Sequence, residues 1–193
     1  MTVATSQPLS AALKEETAAA HEDAEGSRFM EELLSGQLNR DAVAEFTGQL
    51  WFVYEALERA VREIEDHPLA ASIVDRILPA TMKYVSRLEE LTGTGDAVPV
   101  IAHHYVRYLG DVSGGQVIAA RLGTYYDIDS ESLNFYDFSA IGKIPPYRNS
   151  YRAALDELDL DDEQRQRLVE EARRAFGFNS AVFADLAQRH CAL

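Results

Sequence analysis

Apolar side chains recur along much of the chain at steps of three and four residues, the spacing typical of amphipathic helices. The longest such stripe consists of Val43, Phe46, Leu50, Val53, Tyr54, Leu57, Val61 and Ile64. Asn39 and Asp41 are both suited to cap the start of this helix, and Pro68 lies just beyond its end. The pattern predicts a long helix with one buried face.

The same spacing predicts further helices. One follows Asp161 or Asp162 near the C-terminus, and another runs from about Asp96 to Tyr125 with Pro99 in its first turn. Shorter helices are predicted at residues 9–25, 28–35, 80–92 and 148–158, and residues 127–147 are predicted to form a loop that ends in Pro145-Pro146. Since no segment alternates clearly between apolar and polar residues, we expect a single all-α bundle.

Composition narrows the classes of function. The 193 residues suit one domain over 1–193, with flexible ends expected at 1–9 and 188–193. The net charge of −14 repels phosphate backbones, which argues against nucleic-acid binding. Apolar runs are too short for a membrane span and no signal peptide is visible, so we expect no membrane anchor and a cytoplasmic location. A single cysteine, Cys191, excludes an internal disulfide.

One segment conflicts with helix propensity. Residues 101–118 are otherwise helical in pattern but contain Gly110, Gly114 and Gly115, and each interior glycine costs up to about 1 kcal/mol relative to alanine. Gly110 and Gly114 share one helix face because they are four residues apart. Close packing of a neighbouring helix, a helix break at Gly114-Gly115, and a flat ligand lying on the glycine face all remain open. Asp111 would lie at the edge of that face, with Arg107 within reach.

A second stripe of chemically active residues lies in the first helix, where Lys14, Thr17, His21 and Glu25 follow one another at steps of three and four. Glu25 is placed to accept a hydrogen bond from the ring nitrogen of His21 that a metal would leave unused. An exposed histidine in a charged helix would show the same spacing. Taken alone, this pattern does not distinguish a metal ligand from a solvated side chain.

Together these segments resemble the haem oxygenase family in its soluble bacterial form. YLGDVSGGQ at 108–116 is similar to the distal-helix motif of that family, LKEETAAAH at 13–21 to its proximal-helix motif, and RAFGFNSAVF at 174–183 to its last long helix. The resemblance extends from about Ser10 to Leu186. It implies a haem sandwiched between an N-terminal proximal helix and a glycine-kinked distal helix.

The resemblance also implies roles for matching residues. His21 would be the iron ligand, supported by Glu25. The expected catalytic group, which forms the distal wall and its water network, is Asp111, Gly110, Arg107, Tyr54 and Asn179. The other residues expected to contact haem are Gly114 and Gly115 on the distal wall, Lys14, Tyr105, Arg148 and Arg152 near the propionates, and Met30, Phe176 and Phe183 around the pocket.

The implied activity is oxidative cleavage of haem to biliverdin, ferrous iron and carbon monoxide, for iron release. It requires dioxygen and electrons from an external reductase of ferredoxin or flavoprotein type, because nothing in the sequence resembles a flavin or nicotinamide site. We expect a monomer. The segment at 66–81 looks about one helix shorter than is usual in the family.

Four alternatives come from other classes. A ferritin-like di-iron bundle needs Glu-x-x-His, and no histidine here is preceded by an acidic residue three positions earlier. A haem-binding or haem-trafficking protein would use the same His21 and pocket without degrading haem. A related non-haem helical protein would fail to bind haem. A helical transcription regulator is disfavoured by the negative charge.

Overall fold

The computed structural model describes residues 7–64, 67 and 82–191, with the backbone alone for residues 82–86. Its α-helices are Leu9–Glu16 (α1), Ala18–Glu25 (α2), Arg28–Leu34 (α3), Arg40–Ile64 (α4), Met82–Leu91 (α5), Ala97–His104 (α6), Gly110–Tyr126 (α7), Ile144–Asp156 (α8) and Asp162–His190 (α9). A π-helical turn, Tyr105–Leu109, joins α6 to α7. These residues contain no strand, which confirms the all-α class.

The two longest helices organise the core. The predicted apolar stripe of α4 is buried from Val43 to Ile64. At the start of this helix the Asn39 side chain accepts a hydrogen bond from the backbone N–H of Ala42. Helix α9 begins with a capping box between Asp161 and Gln164, and packs against α1 to α6. One continuous apolar core results, and it holds the shorter helices in place.

The N-terminal helix is divided where the pattern predicted a single helix over 9–25. Thr17 lies between α1 and α2, and its hydroxyl donates a 2.7 Å hydrogen bond to the carbonyl oxygen of Leu13. A side-chain bond of this kind to the carbonyl four residues back bends helices. The break leaves Lys14 on α1 and His21 on α2, both on the same side of the molecule.

The helix predicted from Asp96 to Tyr125 is present, but its irregularity lies earlier than the glycines suggested. The wide turn is Tyr105–Leu109, immediately before Gly110. Helix α7 continues through Gly114 and Gly115, so a helix break at those two residues is wrong. Single π-helical turns inside α-helices are frequent at functional sites.

The segment before α8 is more ordered than predicted. Two short 3-10 helices, Asn134–Tyr136 and Ser139–Ile141, lie within it. Helix α8 starts at Ile144 rather than near residue 148, and Pro145 and Pro146 form its first turn. Proline is tolerated there because the first N–H groups of a helix have no partner within the helix.

Residues at both ends of the described chain pack against the rest of the fold. Helix α9 extends to His190, whose Nε2 lies 2.7 Å from a carboxylate oxygen of Glu45, and Cys191 is buried. At the other end, Leu9 is buried and the Ser10 hydroxyl bonds the Asp156 carboxylate at 2.9 Å. The shortened segment at 66–81 lies outside the described residues apart from His67.

No helix in residues 7–64 or 82–191 combines the length and apolar character needed to cross a lipid bilayer.

Candidate active site

An open cavity of about 440 Å³ lies between the N-terminal helices and the start of α7. Nine of the predicted site residues line it: Lys14, His21, Glu25, Tyr105, Gly110, Gly114, Arg148, Arg152 and Phe176. They come from α1, α2, the π-helical turn, α7, α8 and α9. The structure therefore brings together residues separated by up to 162 positions in the sequence (176 − 14).

His21 forms one wall of this cavity. Its side chain is 49% exposed, and its ring meets the edge of Phe176 with the ring centroids 5.4 Å apart. The Nε2 atom lies 3.5 Å from a carboxylate oxygen of Glu25, whose side chain is 71% exposed. That distance is longer than a normal hydrogen bond. The half-exposed imidazole is therefore accessible to a ligand, and the hydrogen bond expected between His21 and Glu25 is not formed at normal length.

The opposite wall is made of backbone. A methyl group built on Gly110 or Gly114 would meet no atom within 4 Å beyond its own helix and chain neighbours. Both glycines line the cavity, together with Ser113 between them. The missing side chains therefore leave space for a ligand on this face, as the flat-ligand interpretation predicts. Close packing of another helix does not occur at these two positions.

Gly115 has a different role from the one expected. It does not line the cavity, and a methyl group on it would lie 2.9 Å from a ring carbon of Tyr136. Successive helix residues point about 100° apart, so Gly115 faces away from Gly114. Its small size allows the Tyr136 ring to pack closely against α7, and it is not part of the distal wall.

A buried polar network lies behind the glycine wall. The Arg107 guanidinium donates hydrogen bonds to Asp111 at 3.0 Å and to the side-chain oxygen of Asn179 at 3.2 Å. It also lies over the Tyr54 ring, 5.1 Å from its centroid, in a cation–π contact. The structure thus joins four of the five residues expected to form the distal network. None of the four lines the cavity directly.

Asp111 supplies the carboxyl group of this network. Burial raises the pKa of its carboxyl well above the ordinary value, while the Arg107 guanidinium favours the charged form. Tyr136 extends the network on the other side: its hydroxyl is buried without a hydrogen-bond partner in the described chain, and burial and the Asp111 charge raise its pKa. Sequence analysis missed Tyr136, which lies in the segment predicted to be a loop.

Three cationic side chains line the cavity. Lys14, Arg148 and Arg152 line it, and the Nε atom of Arg148 is buried without a hydrogen-bond partner in the described residues. A buried donor without a partner is costly unless a ligand accepts its hydrogen bond. These residues fit the carboxylates of a haem, while His21 and the glycine wall fit its two faces.

Two expected pocket residues lie elsewhere. Met30 is buried in the core and does not line the cavity. Phe183 packs on Phe29 and Phe46, with centroids 6.4 and 6.0 Å away, and faces a separate cleft between α2 and α9. Both belong to the packing that supports the proximal side, because their apolar spacing marks a core face as well as it marks a pocket.

Several lining residues were not predicted as site residues. They are Thr17, Ala18, Val106, Leu109 and Ser113. Thr17 and Ser113 lie on helix faces that already carried predicted residues, three positions after Lys14 and Gly110. That spacing was a usable signal. Val106 and Leu109 depend on the π-helical turn, which the sequence pattern did not indicate.

Comparison with known proteins gives one consistent family. The family described as "Heme oxygenase" matches residues 7–78 and 75–185. Haem oxygenase 1 of Homo sapiens is 32% identical over 94% of this chain and 73% of its own length. Haem oxygenase 2 of Mus musculus is 32% identical over 93% of this chain, which spans 66% of that relative.

Solved structures agree with the sequence matches. Haem oxygenase-1 from the cyanobacterium Synechocystis, crystallised in complex with haem, has a TM-score of 0.86 and 27% identity, covering 95% of this chain and 94% of that one. Haem oxygenase from Leptospira interrogans has a TM-score of 0.84 and 26% identity, covering 93% and 100% of the two chains. This chain belongs to the haem oxygenase family.

Proposed function

We propose that this protein binds haem in the cavity and cleaves it oxidatively to biliverdin, ferrous iron and carbon monoxide, releasing iron. The observation that carries the proposal is that two unlike surfaces line one cavity: an accessible imidazole at His21 and bare backbone at Gly110 and Gly114. An iron porphyrin takes a protein ligand such as imidazole on one face and, for oxygen chemistry, needs open space on the other.

His21 would hold the iron of the bound haem, which is both cofactor and substrate. When bound, haem provides the metal that activates dioxygen and the ring carbon that is oxidised. Lys14, Arg148 and Arg152 bind its propionates, which a protein of net charge −14 would otherwise repel. By binding the propionates they would also limit how the ring can be turned in its own plane.

The distal wall leaves room for dioxygen and sets its direction. A side chain on Gly110 or Gly114 would enter the space above the haem, because nothing else fills it. Asp111 lies behind this wall and is held by Arg107, which is itself fixed by Asn179 and Tyr54. We assign Asp111 the role of holding ordered water that delivers protons during the reaction.

The proposed reaction requires an electron donor. Ring cleavage consumes reducing equivalents, and the sequence contains no motif for flavin or nicotinamide. We therefore propose a ferredoxin- or flavoprotein-type reductase as partner, acting on a monomeric, cytoplasmic protein.

Haem titration followed by turnover tests this function. One equivalent of haemin is added to the purified full chain, and a reductant is then supplied in air with catalase present to remove free peroxide. We expect a Soret band that decays while biliverdin absorption grows. A stable haem spectrum would show a haem-binding or trafficking protein instead, and failure to bind haem would indicate a non-haem helical protein.

The His21→Ala variant tests the ligand assignment in the same assay. We expect its turnover to fall by more than the roughly 10–100-fold typical of losing a supporting group around a metal. Added imidazole should restore part of the activity by occupying the vacated position. Unchanged turnover in this variant would remove His21 as the ligand.

A further inference from the structure

A tyrosine and a histidine form a buried hydrogen-bonded pair beside the cavity. The Tyr151 hydroxyl on α8 lies 2.7 Å from Nδ1 of His104 at the end of α6. Their rings are stacked, 7° from parallel, with centroids 5.6 Å apart. Both side chains are almost fully buried. The proposed haem chemistry assigns no role to either residue.

The pair is part of an aromatic cluster that reaches the cavity. The Tyr108 ring lies 5.0 Å from His104 and 5.9 Å from Tyr147, measured between centroids. Tyr105, the residue after His104, lines the cavity. Arg152, the residue after Tyr151, lines it as well. Each member of the pair therefore directly precedes a residue of the cavity wall.

The direction of the hydrogen bond can be assigned. Burial lowers the pKa of His104 to about 4, so the imidazole is neutral at pH 7. Burial also raises the pKa of Tyr151, which keeps the phenol protonated. Tyr151 is therefore the donor, and Nδ1 of His104 is the acceptor. An oxidised phenol is a far stronger acid than a neutral one, so loss of an electron would send its proton along this bond.

We propose that Tyr151 and His104 form a redox-active pair. Tyr151 donates an electron to a haem in the cavity after hydrogen peroxide has oxidised that haem. Tyr151 loses one electron and its phenolic proton. The electron passes to the oxidised haem centre, and the proton passes to Nδ1 of His104, giving a neutral tyrosyl radical and an imidazolium. A later one-electron reductant restores Tyr151 as His104 returns the proton.

This pair would protect the pocket, since an oxidising equivalent left at the haem attacks nearby side chains. The inference rests on the proposed haem binding. Haem binding is therefore checked first by the Soret band of the full chain. The haem-loaded ferric protein is then mixed with one equivalent of hydrogen peroxide, frozen within a second, and examined by electron paramagnetic resonance.

We expect a tyrosyl radical whose hyperfine pattern narrows when the protein carries ring-deuterated tyrosine. Tyr151→Phe should lose most of this signal. Tyr125→Phe, which changes a tyrosine 46% exposed at the end of α7, should keep it. His104→Gln retains a hydrogen-bond acceptor but no base, so it should weaken the radical even if the variant folds and binds haem normally.

The outcomes separate this inference from the proposed function. If haem binds and is cleaved but Tyr151→Phe retains the radical, the redox pair is wrong and the haem chemistry stands. If His104→Gln gives the wild-type radical, the bond between the two residues is only structural. If haem does not bind, both proposals fail together.

Discussion

Two buried networks, each built around a carboxylate and an arginine, share helix α9 and behave in opposite ways. One joins Arg107 to Asp111 and Asn179 beside the cavity. The other joins Glu171 on α9 to Arg87 on α5 and His103 on α6. Asn179 and Glu171 are eight residues apart on α9, about 12 Å along the helix.

The two networks differ in the number of hydrogen bonds that each carboxylate accepts. Glu171 accepts two hydrogen bonds from Arg87, at 2.7 and 3.0 Å, and one from His103 at 2.9 Å. These bonds outweigh burial and lower its pKa to about 2. Asp111 is held by a single Arg107 nitrogen and its pKa is raised by burial. The first arrangement locks a charge in place, and the second keeps a carboxyl available for proton transfer.

Among the variants proposed here, Glu171→Gln is expected to lose the most stability. This change removes the buried one of the two carboxylates that Arg87 bonds and leaves it the exposed Glu90, so we expect the free energy of unfolding to fall by about 3 kcal/mol. Chemical denaturation measures it. Glu170→Gln, on the exposed neighbouring residue, is the matched control and should change stability by less than about 0.5 kcal/mol. Equal effects would show that the Glu171 network is not structural.

The Glu171 network should also make the stability of the wild type depend on pH. Because the pKa of Glu171 is about 2 when folded against 4.5 normally, its stabilisation is present above pH 4.5 and is lost as the pH falls toward 2. The expected loss is again about 3 kcal/mol, from 1.36 kcal/mol per unit. Denaturation between pH 6 and 2.5 should show this loss in the wild type and a shallower one in Glu171→Gln. Parallel curves would contradict the assignment.

The next effect is expected on turnover, from Asp111→Asn. The amide cannot exchange protons with the ordered water that Asp111 is proposed to hold, so biliverdin formation should fall by about 10²–10⁴-fold, the range of general acid–base catalysis. Haem affinity should be little changed because Asp111 does not line the cavity. Asp185→Asn, on the exposed face of α9, is the control and should keep wild-type turnover.

The smallest predicted difference is between alanine substitutions at Gly114 and at Gly115. Gly115→Ala forces the Tyr136 ring to move and should destabilise the fold by about 1–3 kcal/mol. Gly114→Ala meets open space and should raise stability by up to about 1 kcal/mol, since alanine favours helix. Its methyl group nevertheless enters the cavity, so biliverdin formation should slow. Thermal melts and haem turnover on both variants check the contrast, and similar melting shifts would contradict it.

Sequence patterns predicted what depends on local periodicity. The stripe of α4 and the cap at Asn39 follow from spacing alone, and the stripe from Lys14 to Glu25 lines the cavity as one face. Both Gly114 and Gly115 were expected on the distal wall, although adjacent helix residues point about 100° apart and only Gly114 lines the cavity.

Other features depend on contacts between distant segments. Glu171 and His103 are 68 residues apart, and no spacing rule joins them. The π-helical turn at Tyr105–Leu109 and the place of Tyr136 beside Asp111 are set by packing across the bundle. The break at Thr17 coincides with one hydrogen bond donated by its hydroxyl. The same bond can form inside an unbroken helix, so the sequence alone did not indicate the break. Tertiary structure therefore decided the details of the site, while periodicity decided the fold.

The most direct test compares ring opening per haem-bound molecule in the wild type, Asp111→Asn and Glu171→Gln, measured in single turnovers with catalase present. The account predicts that Glu171→Gln, once folded and loaded, forms biliverdin at close to the wild-type rate, whereas Asp111→Asn is slower by about 10²–10⁴-fold. Equal rates for the wild type and Asp111→Asn, or a greater loss in Glu171→Gln, would contradict the division between a catalytic and a structural network.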